Sequence, residues 1–323
     1  MFYFILSQII LRYILKDTDD FFFHPIYRII LPKLFLIYHT KKINNKTKIY
    51  LFLKFFILFL SSILSIILFN IDDLFFNYKN INIKNPLFII GKFRSATTFT
   101  HRELLKTNKN YISPTFKECI FPFICIQYLI DVLEIFFDFN NILETFIDKK
   151  IIEKHKMNFN LEEEDDLFIS TYFGISWYNI LQFPFFETWL HCGLIQRLSY
   201  SEKNNIFSFY HKFYQKILYK RGNENSILVA KSHMNDMIDF YNSFPNSTII
   251  SVKRKQDDVH QSTLSLFKLV HQKLHNIFYD ECIYNKNLLL FYHYFENNEK
   301  QYKNNTIYID YEKNVDITKI FEK

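Results

Sequence analysis

The chain has 323 residues and a formal charge of +6, from 39 Lys and Arg against 33 Asp and Glu. That length suits one domain of about 240 residues plus an N-terminal appendage. So modest a charge, with no basic stripe interleaved with aromatics, argues against a nucleic-acid partner. Cys119, Cys125, Cys192 and Cys282 make neither a CxxC pair nor a His-supported ligand spacing, so no disulfide framework and no metal centre are expected.

The first element is apolar. Residues 50–69, YLFLKFFILFLSSILSIILF, hold a single charge, Lys54, in twenty positions, enough to cross a bilayer. No cleavage-site pattern follows, so a signal peptide is not expected. The 39 Phe and 22 Tyr, with abundant Ile, Asn and Lys, resemble the bias of an AT-rich genome and inflate hydropathy throughout. Residues 1–80 therefore read as a helical, membrane-associated segment, either single-pass or interfacial, with a buried helix as the remaining option. If it spans, Lys41, Lys42, Lys46 and Lys48 hold the N-terminal side in the cytoplasm and the following domain lies across the membrane. Otherwise that domain is cytoplasmic.

Next comes NPLFIIGKFRSATTFTHRELL, residues 85–105. Leu87 to Ile90 is a short apolar run of the kind buried in a parallel sheet. Gly91 to Thr98 adds a glycine, two basic side chains and three hydroxyls before a helix resumes. A helix start offers unpaired N–H groups and a positive dipole end, so an anion belongs there. The phosphate-loop pattern GxxxxGK[ST] is not met, because Ala96 and Thr97 stand where Gly and Lys would be.

Residues 119–200 mix apolar helices with the acidic run EEEDDLF at 162–168 and with Trp177, Phe183, Phe185, Phe186 and Trp189. Ile124 to Phe137 could line a pocket, although core packing explains the same residues. Residues 227–233, ILVAKSH, read as a strand ending in Lys231, Ser232 and His233. Residues 244–266, FPNSTIISVKRKQDDVHQSTLSL, read as a turn, a strand near Thr248 to Val252, the cluster Lys253-Arg254-Lys255 and a helix from about Gln256 carrying Ser262. Alone, the cluster would pass for a solvated turn. A last strand, TIYIDYEKN, occupies 306–314, and Asn-rich stretches at 76–85, 202–206 and 296–305 read as loops.

Together these segments resemble the sulfotransferase family. Its first motif is matched by Phe88, Gly91, Arg94, Ser95, Thr97, Thr98 and His101, with Ala96 in place of a Gly. Its second is matched by Phe244, Pro245, Ile250, Arg254, Asp258, Val259 and Ser262. The strand ending in Lys-Ser-His, the acidic run and the late strand with Tyr311 and Glu312 are similar to further family segments, and the likeness covers roughly residues 51–323. It implies an α/β fold of the P-loop-NTPase-like, three-layer type with a central parallel sheet over residues 81–323, behind the helical N-terminal segment.

The resemblance also implies a reaction: transfer of a sulfuryl group from 3′-phosphoadenosine 5′-phosphosulfate to an acceptor hydroxyl or amine on a small molecule, lipid or glycan, with no metal. Gly91, Lys92, Phe93, Arg94, Ser95, Ala96, Thr97 and Thr98 would cradle the 5′ side of this co-substrate, and Arg254 with Ser262 would hold the 3′-phosphate. Arg94 would stabilise charge building on the leaving phosphate. Lys231 and His233 complete the catalytic set, with His233 as a base. Some relatives place that His two positions later, where this chain has Asn235. Glu118 and the carboxylates of 162–166 are fallback bases, and His101 reads as packing or polar support. Two alternatives stand beside this one: a Mg²⁺-dependent phosphoryl transferase using the same strand, turn and helix, and a catalytically silent, membrane-associated paralogue that binds nucleotide.

Overall fold

The computed structural model describes residues 45–167, 172, 200–233, 238–244, 246–275, 280–302 and 305–313. Expectations placed on 1–44, on Trp177, Phe183, Phe185, Phe186 and Trp189, on Asn235 and on Pro245 lie outside the described residues. In chain order the elements are α1 (Asn45–Phe75), β1 (Leu87–Gly91), α2 (Thr97–Thr107), β2 (Tyr111–Ile112), α3 (Phe116–Ile120), α4 (Ile124–Leu133), α5 (Phe139–Phe146) and α6 (Lys149–His155). They continue with α7 (Tyr200–Arg221), β3 (Ile227–Ser232), α8 (Ile238–Asn242), β4 (Thr248–Lys253), α9 (Gln256–His275), α10 (Glu281–Glu299) and β5 (Asn305–Asp310).

The strands form one parallel sheet in the order β2-β3-β1-β4-β5. Every residue of β1 is buried, as expected of a central strand covered on both faces. Side chains alternate across it. Phe88 and Ile90, with Leu228, Ala230 and Ile249, join the larger core under α7, where Tyr210, Phe213, Tyr214 and Ile217 meet them. Leu87 and Ile89, with Val229, Ile250 and Val252, pack the opposite face with Leu104 of α2. Three layers result, helix, sheet and helix, as the sequence implied.

Local chemistry sets several boundaries. Thr115 and Glu118 form a reciprocal capping box that starts α3, and Asp280 caps α10 through the Cys282 amide. Asp257 and Asp258 sit in the first turn of α9, where a helix favours negative charge. The Asn-rich stretch 202–206, expected as a loop, instead lies within α7, where packing of Ile206 and Phe209 into the core overrides the polar composition.

The single-pass form of the membrane expectation finds no support. Among the described residues, no helix is long and apolar enough to cross a membrane. The apolar stretch lies within α1, whose C-terminal half joins the body: Ser65, Phe69 and Asp72 are buried, and the Phe69 ring packs 5.0 Å from Phe123 and 4.1 Å from Phe209. Asp72 fixes that end. Its carboxylate accepts the Ile124 and Cys125 amides that open α4, at 2.8 and 3.0 Å, and pairs with Lys216 of α7 at 2.8 Å.

Candidate active site

Sheet order positions the site. From β1 the chain builds β2 and β3 on one side, then crosses to β4 and β5 on the other, so the carboxyl ends of β1, β3 and β4 border one crevice. β1 delivers Gly91 to that edge. A Cβ there would fall 2.6 Å from both Ser95 Oγ and Thr97 Cγ2 and 3.1 Å from the Val252 carbonyl, so the loop closes only over glycine. Arg94 and Ala96 curl the loop with left-handed backbones, φ 63° and 73°. Ser95 turns inward, its hydroxyl donating to the Lys92 carbonyl at 2.7 Å. Ala96 is the residue preceding α2 and offers no side-chain cap to its first amides.

The second loop meets the first. Arg94 Nε donates to Ser262 Oγ at 3.0 Å, Arg254 Nη1 donates to the Arg94 carbonyl at 3.4 Å, and Thr263 Oγ1 donates to the Phe93 carbonyl at 3.2 Å. Arg254 lies 5.7 Å from the centre of the Tyr311 ring, and its Nε is buried without a hydrogen-bond partner among the described residues. Burial lowers the pKa of the Arg94 guanidinium, with Glu164 pulling the other way. Lys92 is diverted. Its ammonium reaches Glu296 at 2.5 Å and Gln256 at 2.7 Å on the neighbouring helices, which leaves its backbone to the loop.

The end of β3 carries the third part. Lys231 Nζ donates to Thr98 Oγ1 at 2.8 Å and to Glu164 Oε1 at 2.6 Å. His233 Nδ1 lies 2.6 Å from the Gly91 carbonyl, which can only accept, so that nitrogen carries a proton. Its Nε2 lies 3.2 Å from Glu164 Oε1. The acidic run is no solvated face: Glu163, Glu164, Asp165 and Asp166 are all buried against this strand end. Asp166 accepts from the Ser232 hydroxyl and, at 2.9 Å, from the His233 amide, while Asp165 accepts from the Tyr214 hydroxyl.

Electrostatics follow from these contacts. Burial alone would raise the Glu164 carboxyl, but Lys231 and His233 hold it well below the usual carboxylate range. Burial opposes charge on His233, yet Glu164 and Asp166 overcome it and raise the ring above its ordinary value. Asp165 is driven well up by burial and by Asp166, and burial pushes Asp166 up to about 6 against the pull of His233. His101 is fully buried beside Ser113, at 2.7 Å, and burial with the nearby Lys231 lowers it to about 3, a neutral packing residue. Glu118, a fallback base in the sequence, is committed to its capping box and to Arg221 at 2.8 Å. His155, Glu163 and Glu164 bring potential metal-ligand atoms within 4.8 Å of one another, but a cation there would meet the Lys231 ammonium already paired with Glu164.

A cavity of about 530 Å³ opens over these groups, within the range of small-ligand sites. Of the residues expected from sequence, Phe93, Arg94, Ala96, Thr97, Thr98, His233 and Arg254 line it. Gly91, Lys92, Ser95, Ser262 and Lys231 are not part of that lining. Ile124 to Phe137 does not form the wall: Ile124 and Ile130 belong to the core, and Leu129, Val132, Ile135 and Phe136 face outward. Sequence reasoning missed His155 and Phe99 in the lining. An aromatic directly after the hydroxyl run was the available signal for Phe99, which meets Tyr311 edge-on at 5.6 Å on the rim.

Comparison with solved structures gives a sulfotransferase from Mycobacterium avium, TM-score 0.62 and 11% identity over 90% of this chain and 74% of that one. It also gives a sulfotransferase from Mycobacterium tuberculosis H37Rv, TM-score 0.62 and 15% identity over 90% of this chain and 78% of that one. The chain has the sulfotransferase fold. Neither the protein-family models nor the curated proteins compared with the chain give a match. At such low identity the likeness is one of fold alone.

Proposed function

We propose that this chain transfers a sulfuryl group from 3′-phosphoadenosine 5′-phosphosulfate to an acceptor hydroxyl. The observation that carries the reading is the junction of two cationic loops, with Arg94 bonded to Ser262 and Arg254 bonded to the Arg94 carbonyl, beside a buried Lys231–Glu164–His233 cluster. Two anion sites so joined suit a donor with phosphates at both its 5′ and 3′ positions. The α2 amides and the Thr97 and Thr98 hydroxyls hold the 5′ side, and Arg254 with Ser262 holds the 3′-phosphate. Phe99 and Tyr311 offer aromatic faces for the purine.

In the reaction the acceptor oxygen forms a bond to sulfur while the bond from sulfur to the bridging phosphate oxygen breaks. The electron pair leaves with 3′-phosphoadenosine 5′-phosphate. Arg94 stabilises the charge growing on that oxygen, and Lys231, through Thr98, adds positive potential beneath the loop. The acceptor proton passes to His233 Nε2. The Gly91 carbonyl fixes the tautomer that leaves this nitrogen free in the neutral ring, and Glu164 stabilises the imidazolium that forms. Glu164 is thus a positioning residue.

Calorimetric titration with 3′-phosphoadenosine 5′-phosphate, against 5′-AMP and ATP, tests the donor assignment. Binding that requires the 3′-phosphate and weakens in Arg254→Ala is the expected result. Equal binding of 5′-AMP would remove the reading.

A further inference from the structure

The longest described helix, α1, carries apolar residues on two opposite sides, and only one of them meets the body. Ser65, Phe69 and Asp72 are buried, while Ile49, Leu53, Phe56, Leu60, Ile67 and Leu74 are between 47% and 77% exposed. With 3.6 residues per turn, these six fall within about 60° of one another, across the helix from the buried three. Their spacing follows a repeat of seven. From Ile49 the steps are four, three, four, seven and seven, the pattern that keeps one row of side chains facing a second helix along a seam. Asn70, exposed three residues after Ile67, is a single polar residue in that row, of the kind that fixes the register of paired helices.

Phe52, Ile57 and Leu64 are exposed as well and widen the row. Together these side chains present on the order of 1,000 Å² of apolar surface, against roughly 300–600 Å² for the largest patch on an ordinary monomer and about 800 Å² per partner in a standard interface. A lipid surface fits this face less well. A helix lying in a lipid interface carries Lys or Arg along a polar side, and lipid imposes no seven-residue step. The last turn of α1 has no basic residue and holds Asp72 and Asp73, and its second side is buried in protein.

We infer that α1 is a self-association surface, on which two copies of the chain pack α1 against α1 across a two-fold axis and bury the row from Ile49 to Leu74. A two-fold contact uses one patch twice, so a helix with this repeat supplies its own partner of matching length and spacing. Tyr50, at the edge of the row, also lines the cavity, so pairing brings the second copy to the cavity's border. The surface stands independently of the sulfuryl-transfer reading.

Sedimentation velocity of the full chain without detergent, over about two decades of micromolar concentration, should show a reversible dimer. Leu60 stands at the middle of α1, where it meets its own copy whichever way the helices run. Leu60→Glu brings two carboxylates together and should raise the dimer Kd at least tenfold, and Leu60→Met should keep it within about threefold. Circular dichroism and the denaturation midpoint of each variant should match the wild type, since Leu60 makes no part of the core. Leu60→Cys should yield a disulfide-linked dimer under mild oxidation that the wild type, with its own cysteines, does not give. A dimer indifferent to Leu60→Glu would overturn the inference. So would a monomer at every concentration, whether it floats with phosphatidylcholine and phosphatidylserine vesicles in a Leu60-dependent way, which would assign the face to lipid, or protects the Leu60→Cys thiol from maleimide, which would assign it to residues 1–44 of the same chain.

Discussion

Two lysines in this molecule are buried against carboxylates in nearly the same way, and they serve different ends. Lys216 meets Asp72 at 2.8 Å, Lys231 meets Glu164 at 2.6 Å, and each lysine side chain is 1% exposed. Around Lys216 every remaining direction is closed: Phe69, Tyr78 and Phe123 surround the ammonium at 3.5, 5.0 and 5.7 Å, and Asp72 spends its other contacts on the start of α4. Burial pulls the Lys216 ammonium down to about 8 despite Asp72. Lys231 also donates to Thr98, and its partner Glu164 meets His233; Thr98, Glu164 and His233 all lie on the cavity wall. A buried charge is thus a sign of function only when the groups it touches face a space that a ligand can enter. The first pair joins three helices; the second borders the cavity, where the proposed reaction would use it.

The largest effect should come from breaking the joint. Asp72→Ala leaves Lys216 unpaired and two amides of α4 uncapped, and should cost about 3–5 kcal/mol in chemical denaturation, the usual penalty for stranding half of a buried pair. Turnover per folded molecule should be unchanged. Lys231→Met should do the opposite, lowering kcat on the order of a hundredfold or more with donor affinity less affected, as removal of a preorganised charge does. Equal loss of stability in both variants, with turnover intact in the second, would dissolve the contrast. Arg254→Ala should weaken 3′-phosphoadenosine 5′-phosphate by about 1.5–3 kcal/mol, one charge-assisted contact, read by calorimetry.

The pH profile sharpens the second pair further. His233 is raised above its ordinary 6.5, so the neutral ring that accepts a proton forms only at higher pH, and kcat should climb with pH through a midpoint above that value. The same shift stabilises the fold below about pH 6.5, and that contribution is lost as pH rises through the folded value, opposite in sign to the activity. Glu164→Gln removes the anion holding the ring charged and should move the midpoint of kcat to lower pH while reducing its plateau. The smallest effect belongs to Ala96→Gly. Relieving a left-handed alanine, at φ 73° before any donor binds, should raise stability by roughly 1 kcal/mol in chemical denaturation and leave donor affinity nearly unchanged.

How much of this was legible in the sequence follows from how local each feature is. The loop from Gly91 to Thr98 and the strand, turn and helix around Arg254 are contiguous, so their residue types and order announce their conformation, and the fold class came with them. The acidic run was harder. Five adjacent carboxylates, Glu162 to Asp166, read as spare bases, and the burial of Glu164 and Asp166 depends on Lys231, Ser232 and His233, which arrive more than sixty residues later along the chain. The apolar stretch at 50–69 shows the reverse limit. Its composition satisfies a membrane criterion, while the residue that anchors its far end is a single Asp72 whose partner Lys216 no local pattern reveals. The apolar cavity wall was assigned to Ile124 to Phe137 for a similar reason: hydrophobicity marks a candidate, and only packing decides which face a helix turns inward.

Strand order also has a consequence in time. β1 lies at the centre of the sheet, yet its neighbours β3 and β4 are made about 140 and 160 residues after it, a delay on the order of ten seconds or more at ribosomal rates. Throughout that interval a nascent chain carries LFIIG with both edges open and neither flanking strand in existence. A chain interrupted before Val252 therefore holds the whole first motif but no anion site, and its most exposed hazard is the same strand that later becomes the best buried. Synthesis in the cell should lean on chaperones that shield β1, and expression at slow elongation rates should favour aggregates nucleated there.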